Sequence, residues 1–242
     1  MSVLEQRFGA VRSIAAGPHG TAAGRIYENL RLRIITVEIA PDTVLSRASL
    51  ARDYGVSQTP VREALQRLEQ DGLVETFPQS RTVVTRIDPD ALTEAHFLRR
   101  AVETEVVRHL ASAHTAETIS ELDALIAMQQ TLIENTDQVT MFYDLDESFH
   151  RALFNGIGYV GLHTMIRARS GHLDRARRLD MPRREKMREI VDGHVAIADA
   201  VKNSDPDAAE VAMREHLSGT LKRIATLRAA NPHAFEAGRR LP

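Results

Sequence analysis

The sequence predicts a mainly α chain, an N-terminal winged helix-turn-helix followed by an all-α antiparallel helical bundle. Three observations carry that prediction. Two short helical patterns meet at Gly55, the hydrophobic period changes to that of strands just after Gly72, and from Ala91 to about Asn231 only helical patterns recur.

The elements follow in order. Residues 1–20 lack periodicity and hold Gly9, Gly17, Pro18 and Gly20, which predicts a flexible arm. A helix is expected over 21–37, where Ile26, Leu30 and Ile34 recur at four-residue spacing. Ala40-Pro41-Asp42 marks a turn, and helices are expected at 47–54 and 57–71, the second ended by Gly72 as a left-handed cap. Segments 73–77 and 82–87 are rich in β-branched and aromatic residues, with Pro78-Gln79-Ser80-Arg81 as the hairpin turn. Ile87-Asp88-Pro89-Asp90 reads as a boundary, with Asp88 or Asp90 capping the next helix. Breaks near 114–115, 135–137, 155–158, 180–182 and 203–206 then divide the rest into about six helices. The expected organisation is an arm at 1–20, a winged helix-turn-helix at 21–88, a helical domain at 89–232 and a tail at 233–242.

Composition narrows the function. The 242 residues include no cysteine, which excludes disulfides, thiol catalysis and cysteine-built zinc sites. No stretch approaches the roughly 20 apolar residues needed to cross a bilayer, and the first twenty residues have no continuous apolar run. A cytoplasmic protein with no membrane partner is therefore expected. Net charge is −2, and between residues 21 and 88 nine arginines face nine acids. Contact with nucleic acid requires those arginines to be segregated onto one face.

The segment from Leu50 to Leu68 provides such a face. Val61, Leu65 and Leu68 share the buried stripe of the second helix, while Gln58, Arg62 and Gln66 recur every four residues on another side. Arg suits bidentate contact with guanine and Gln with adenine. Ser57 and Thr59 start the helix, where hydroxyls cap and open N–H groups hold phosphate, and Pro60 is tolerated in that first turn. The competing reading is an ordinary helical hairpin with a solvated polar side. The two-stranded wing that follows, with Arg81 at its tip, argues against it, because such a wing reaches the backbone or minor groove.

The run Tyr27, Leu30-Arg31, Pro41, Leu45, Leu50-Ala51, Gly55-Val56-Ser57, Pro60-Val61-Arg62-Glu63-Ala64-Leu65, Arg67-Leu68 and Gly72-Leu73-Val74 closely resembles the GntR family of bacterial regulators. The resemblance covers about residues 21–88. It implies a double-stranded DNA operator as partner, met by Ser57, Gln58, Thr59, Arg62 and the wing residues Gln79, Ser80 and Arg81; Arg47 and Gln66 complete the expected DNA-facing set. Val37 and Asp42 stand where the family usually has glycine, and the wing tip lacks its common glycine. Arg47 replaces a frequent Glu, Ala48 a common basic residue, and Gln58 a common Arg. These departures point to a different operator sequence, not to loss of DNA binding.

In the helical domain Asp146 and His150 lie four apart, on one face of one helix. A carboxylate and an imidazole at this spacing can share one divalent ion. His194 stands about ten residues before the turn within the break at 203–206 and His216 about eleven after that turn, so antiparallel helices bring them level. Alanines at 196, 198, 200, 208, 209 and 212 permit close approach of the two helices.

Arg99 with Glu103, Asp146 with Phe149-His150, Asn155, His194 with Ala198, Asp205 with Ala208, and His216 resemble the FCD effector domain of the FadR-like GntR subfamily, over about residues 91–230. The resemblance implies a divalent ion (Zn, Ni or Mn) on Asp146, His150, His194 and His216, with a small organic acid as effector. Arg99 or Arg100 would fork onto its carboxylate, and helix rotation disfavours both pointing inward. The arginine-rich run at 167–188 reads as solvated surface from which single residues reach the pocket. His163 and His172 read as structural or exposed rather than as ligands, and Met128, Met141 and Met165 as core filling.

The expected function is a ligand-responsive regulator, a repressor acting as a homodimer on an inverted repeat. Two alternatives stand beside it. A helical metalloenzyme would use the same four ligands to activate water, but lacks a general base beside them and leaves the N-terminal signature unexplained. A metal-responsive regulator would make the ion itself the signal.

Overall fold

The protein is described by a computed structural model over residues 20–77, 81–180 and 183–236. It divides into two compact units, Met1–Thr85 and Arg86–Pro242. The arm expected at 1–20 lies outside the described residues except for Gly20.

In the first unit, helix α1 (Ala22–Ile35) starts at Thr21, whose side chain accepts a hydrogen bond from the Gly24 N–H at 3.1 Å. That satisfies one of the first-turn donors no helical carbonyl reaches. Helices α2 (Arg47–Asp53) and α3 (Gln58–Gln70) follow, with Gly55 at φ 63° and Gly72 at φ 71° making the two left-handed turns. Strands β2 (Val74–Phe77) and β3 (Arg81–Val84) pair antiparallel, Val74 opposite Val84 and Phe77 opposite Arg81. The sequence reading missed strand β1 (Val44–Leu45), which pairs with β3 and sets the sheet order β1-β3-β2. Two residues are too few to show a period. Ile26, Leu30 and Ile34 of α1 meet Val61, Leu65 and Leu68 of α3 and Leu73 and Val84 of the wing in one core.

Val37 and Asp42 adopt left-handed backbone, at φ 61° and 65°. These are the two places where glycine was expected from the resemblance. A Cβ in that region costs on the order of 1–2 kcal/mol, so the path between α1 and the sheet carries strain.

Among the described residues the second unit holds seven α-helices: α4 (Pro89–Ala113), α5 (Ala116–Leu132), α6 (Val139–Gly156), α7 (Val160–Arg169), α8 (Gly171–Leu179), α9 (Arg184–Lys202) and α10 (Pro206–Ala230). Asp88 caps α4 through the Asp90 N–H at 2.8 Å, and Asp205 caps α10 through the Ala208 N–H at 3.0 Å. Pro89 and Pro206 occupy the first turns, where a missing N–H is harmless. Seven helices stand in place of about six because the chain breaks at Ser170, whose hydroxyl donates to the Ile166 carbonyl instead of marking a loop. Two ends also differ from expectation. Ile87 pairs with Phe235 rather than extending β3, its N–H reaching the Ala234 carbonyl at 2.8 Å. Ala234 and Phe235 are buried, so the stretch expected to be a tail begins as packed chain.

The core of this unit joins Val107 and Leu110 of α4, Leu122 of α5, Phe149 and Leu153 of α6, Ile197 and Val201 of α9, and Met213 of α10. Polar groups set into that apolar frame are held in fixed positions.

Candidate functional site

On the first unit, Gln58, Arg62 and Gln66 are exposed on one side of α3, while Val61, Leu65 and Leu68 on the other side are buried. Ser57 is the N-cap residue but makes no side-chain cap bond, which leaves its hydroxyl and the first-turn N–H groups facing outward with Thr59. That is the arrangement a phosphate oxygen meets at a helix start. Arg47 opens α2 and is exposed, and Arg81 opens β3, also exposed, with its guanidinium 5.6 Å from the Phe77 ring centre. Gln79 and Ser80 lie outside the described residues. Arg67 is turned to structure, stacked 3.9 Å above the Tyr27 ring, whose hydroxyl donates to Asp71 at 2.5 Å.

In the second unit, α6 presents Asp146 and His150, α9 presents His194 and α10 presents His216. One ligand atom from each lies within 4.8 Å of all the others. The antiparallel level argument for His194 and His216 is realised, their ring centres 4.6 Å apart. Gly193 makes that approach possible: a Cβ there would lie 2.6 Å from His216 Nδ1.

Neighbouring residues set the orientation of the rings. His194 Nδ1 lies 2.7 Å from Gln129 Oε1, and its ring stacks on Phe149 with centres 3.9 Å apart. His150 Nδ1 lies 2.7 Å from Glu103 Oε2, and Glu103 Oε1 accepts from Arg99 Nε at 2.5 Å. Each Nδ1 thus lies beside a carbonyl or carboxylate oxygen, and a proton held there would leave the Nε2 lone pairs to the centre. His194 Nε2 then faces Asp146 Oδ1 at 3.6 Å, and both atoms are buried without a hydrogen-bond partner among the described residues. His150 Nε2 faces His216 Nε2 at 3.2 Å.

Electrostatics keep these groups in ligand form. Burial pushes His194 down to about 3 and His216 well below the usual imidazole range, so both rings are neutral at physiological pH. Burial would raise Glu103, but Arg99 and His150 hold it down to about 2. Asp146 is held well below the usual carboxylate range against its burial, chiefly by Arg177, whose Nη2 donates to Asp146 Oδ2 at 2.6 Å. A buried carboxylate oxygen and three imidazole nitrogens converging on one point fit a divalent cation, and a three-nitrogen, one-oxygen donor set suits Zn, Ni or Mn.

A small cavity adjoins the cluster, lined by Arg99, Tyr143, Arg177, Lys186, His216 and Thr220, among others. Of the two candidate effector arginines, Arg99 is buried and lines it, whereas Arg100 is exposed on another side of α4. Helix rotation separates adjacent residues by about 100°, so Arg100 does not share this cavity. The basic run is less of a surface than expected: Arg175 is buried, and Arg177 sits directly on Asp146. Of the two readings open for His163 and His172, structural or exposed, both residues are buried and structural. His163 pairs with Glu147 at 3.0 Å, and His172 Nδ1 accepts from the Asp88 N–H at 2.9 Å.

Sequence reasoning assigned no role to Arg177, Gln129 or Gly193. Gln129 carried a signal, since it falls in the stripe of Leu122, Leu125, Ile126 and Leu132 that α5 buries.

A winged helix-turn-helix with an exposed Gln-Arg-Gln ridge defines a transcription factor that reads double-stranded DNA. Residues 22–84 match the bacterial regulatory proteins of the gntR family, and residues 94–219 match the FCD domain. An HTH-type transcriptional regulator in an unstable DNA locus of Streptomyces ambofaciens is 38% identical over 211 residues, spanning 87% of this chain and 88% of that one. The transcriptional repressor RspR of Escherichia coli (strain K12) is 30% identical over 211 residues, spanning 87% and 92%. Among solved structures, E. coli McbR/YncC shares the fold at a TM-score of 0.73 and 20% identity, covering 88% of this chain and 99% of that one. The chain belongs to the GntR family of transcriptional regulators and carries an FCD domain; it is a regulator and not an enzyme. No described helix is long and apolar enough to cross a membrane.

Proposed function

We propose that this regulator is a cytoplasmic homodimeric repressor whose affinity for an inverted-repeat operator is set by a small carboxylate effector. The effector binds at a divalent ion held by Asp146, His150, His194 and His216. The observation that carries the reading is the pair of buried, unpartnered atoms Asp146 Oδ1 and His194 Nε2 at 3.6 Å, flanked by two further imidazole nitrogens. Uncompensated acceptors facing one another cost several kcal/mol unless a cation joins them.

A divalent ion bound there supplies open coordination positions that a carboxylate oxygen can fill. Glu103 and Gln129 hold the tautomers of His150 and His194, and Arg177 holds the second oxygen of Asp146. Arg99 lines the adjoining cavity with donors left over from its contact to Glu103, and an effector carboxylate accepts from them. The name of RspR supports repression as the mode of action. Homodimerisation follows from the match between two-fold proteins and palindromic operators. A coupling of about 1–3 kcal/mol between effector and operator sites is enough for a several-fold to hundred-fold response.

Metal analysis of the purified full chain tests this first. The wild type should retain a stoichiometric divalent ion through dialysis, and His194→Ala should lose it. Organic acids should raise the melting temperature of the loaded protein and leave chelator-treated protein unchanged. A wild type that holds no ion under metal-replete conditions contradicts the proposal.

A further inference from the structure

We infer that the effector carries a second anionic group, seated by Lys186 and Arg223 beside Gly219, with Lys186 lining the same cavity as Arg99 and His216. The inference rests on the effector reading above. Lys186, on α9, lines the cavity with its side chain only 15% exposed. Its ammonium makes no hydrogen bond among the described residues, and its one ion pair is a loose contact at 3.7 Å to Glu189, which is itself 61% exposed. Arg223, on α10, gives Nε to Asp180 at 2.7 Å, but its Nη2 is buried without a partner. A Cβ placed on Gly219 would lie 3.1 Å from Lys186 Nζ and 3.3 Å from Arg223 Nη2. Lys186 Nζ and Arg223 Nη2 therefore lie close together, both pressed against the same side of Gly219, so that one anion can reach both donors.

The charges around the cavity match a dianion. At the end near the His/Asp cluster, Arg99 is balanced by Glu103 and Arg177 by Asp146, so a bound divalent ion would add uncompensated positive charge. At the other end Arg223 is balanced by Asp180, and Lys186 has only the exposed Glu189 at 3.7 Å. Burial and the neighbouring Arg223 push Lys186 below its usual range, as expected of an ammonium held without an anion. Gly219 lies three residues beyond His216, about one turn or roughly 5 Å along α10. An acid with two anionic groups on a short carbon backbone spans that interval.

Calorimetric titration of zinc-loaded full-length protein tests the inference with two matched pairs, succinate against butyrate and 3-phosphoglycerate against glycerate. The wild type should prefer the dianion by about tenfold or more, as a charge-assisted hydrogen bond implies. Lys186→Gln and, independently, Gly219→Ala should narrow that preference to within about threefold. Equal affinity for both members of each pair in the wild type overturns the second anion seat and leaves the effector reading intact. So does a parallel loss of both members in Lys186→Gln. If no member of either pair binds the zinc-loaded protein, the effector reading fails and this inference with it.

Discussion

Replacing Gly193 by alanine should disable the His/Asp cluster while leaving the helix that carries it intact. The added Cβ would stand 2.6 Å from His216 Nδ1, 3.2 Å from its Cγ and 3.3 Å from its Cβ. Non-bonded contacts settle near 3.5–4.0 Å, so the ring must retreat by about 1 Å. Functional metal sites hold their ligand distances to within about 0.2 Å. His216 would thus leave the set, and zinc affinity should fall about 10–100-fold, as when an orienting contact is lost. Helix propensity acts the other way, because alanine in a helix interior is favoured over glycine by about 0.8–1.0 kcal/mol. Competition against a fluorescent zinc chelator reads the affinity, and far-ultraviolet circular dichroism reads the helix. His216→Ala should show a similar loss, and the double variant little more than either single one. Zinc affinity in Gly193→Ala within about twofold of the wild type would refute the placement of His216 in the site.

Other consequences concern the DNA-reading unit. Arg62→Ala should weaken specific operator binding by about 1–3 kcal/mol in an anisotropy titration, and undiminished binding would remove the α3 ridge as the reading face. Tyr27 is pushed up to about 12 by burial and by its hydrogen bond to Asp71. The folded state then keeps a proton that the unfolded chain releases above about 10, so stability is full below pH 10 and falls as pH rises towards 12. Tyr27→Phe should abolish that alkaline loss in urea titrations, and an unchanged pH profile would count against the buried phenol. Val37→Gly should raise the stability of this unit by roughly 0.5–1 kcal/mol, the relief of left-handed strain less the entropy of glycine. A lowered urea midpoint would show that Val37 packing outweighs its backbone cost.

Much of this was legible in the chain itself, for identifiable physical reasons. The ridge at Gln58, Arg62 and Gln66 was visible because Val61, Leu65 and Leu68 fix the buried side of α3. The four ligand positions were visible because a four-residue spacing and an equal distance from one loop are helical invariants. Arg177 was hidden by its company, since nothing in a run of arginines says which one turns inward onto Asp146. Arg99 and Arg100 could be separated only by rotation about α4, which puts Glu103 on the side of Arg99. β1 and the break at Ser170 are set by tertiary pairing and by a single side-chain bond, neither of which leaves a periodic trace. Val37 and Asp42 were noticed as departures from glycine, but only the backbone shows what they cost.

In the function proposed above, the His/Asp cluster governs the affinity of α3 for DNA. Its most direct test is an operator anisotropy titration of the full-length protein. The protein is first stripped with chelator, then loaded with zinc, then loaded with zinc and exposed to organic acids. At least one acid should shift operator affinity by about 5–150-fold in the zinc-loaded wild type, with no shift in the stripped protein or in Asp146→Ala. Isotherms that coincide across every metal and acid condition, or an Asp146→Ala variant that responds like the wild type, would contradict it.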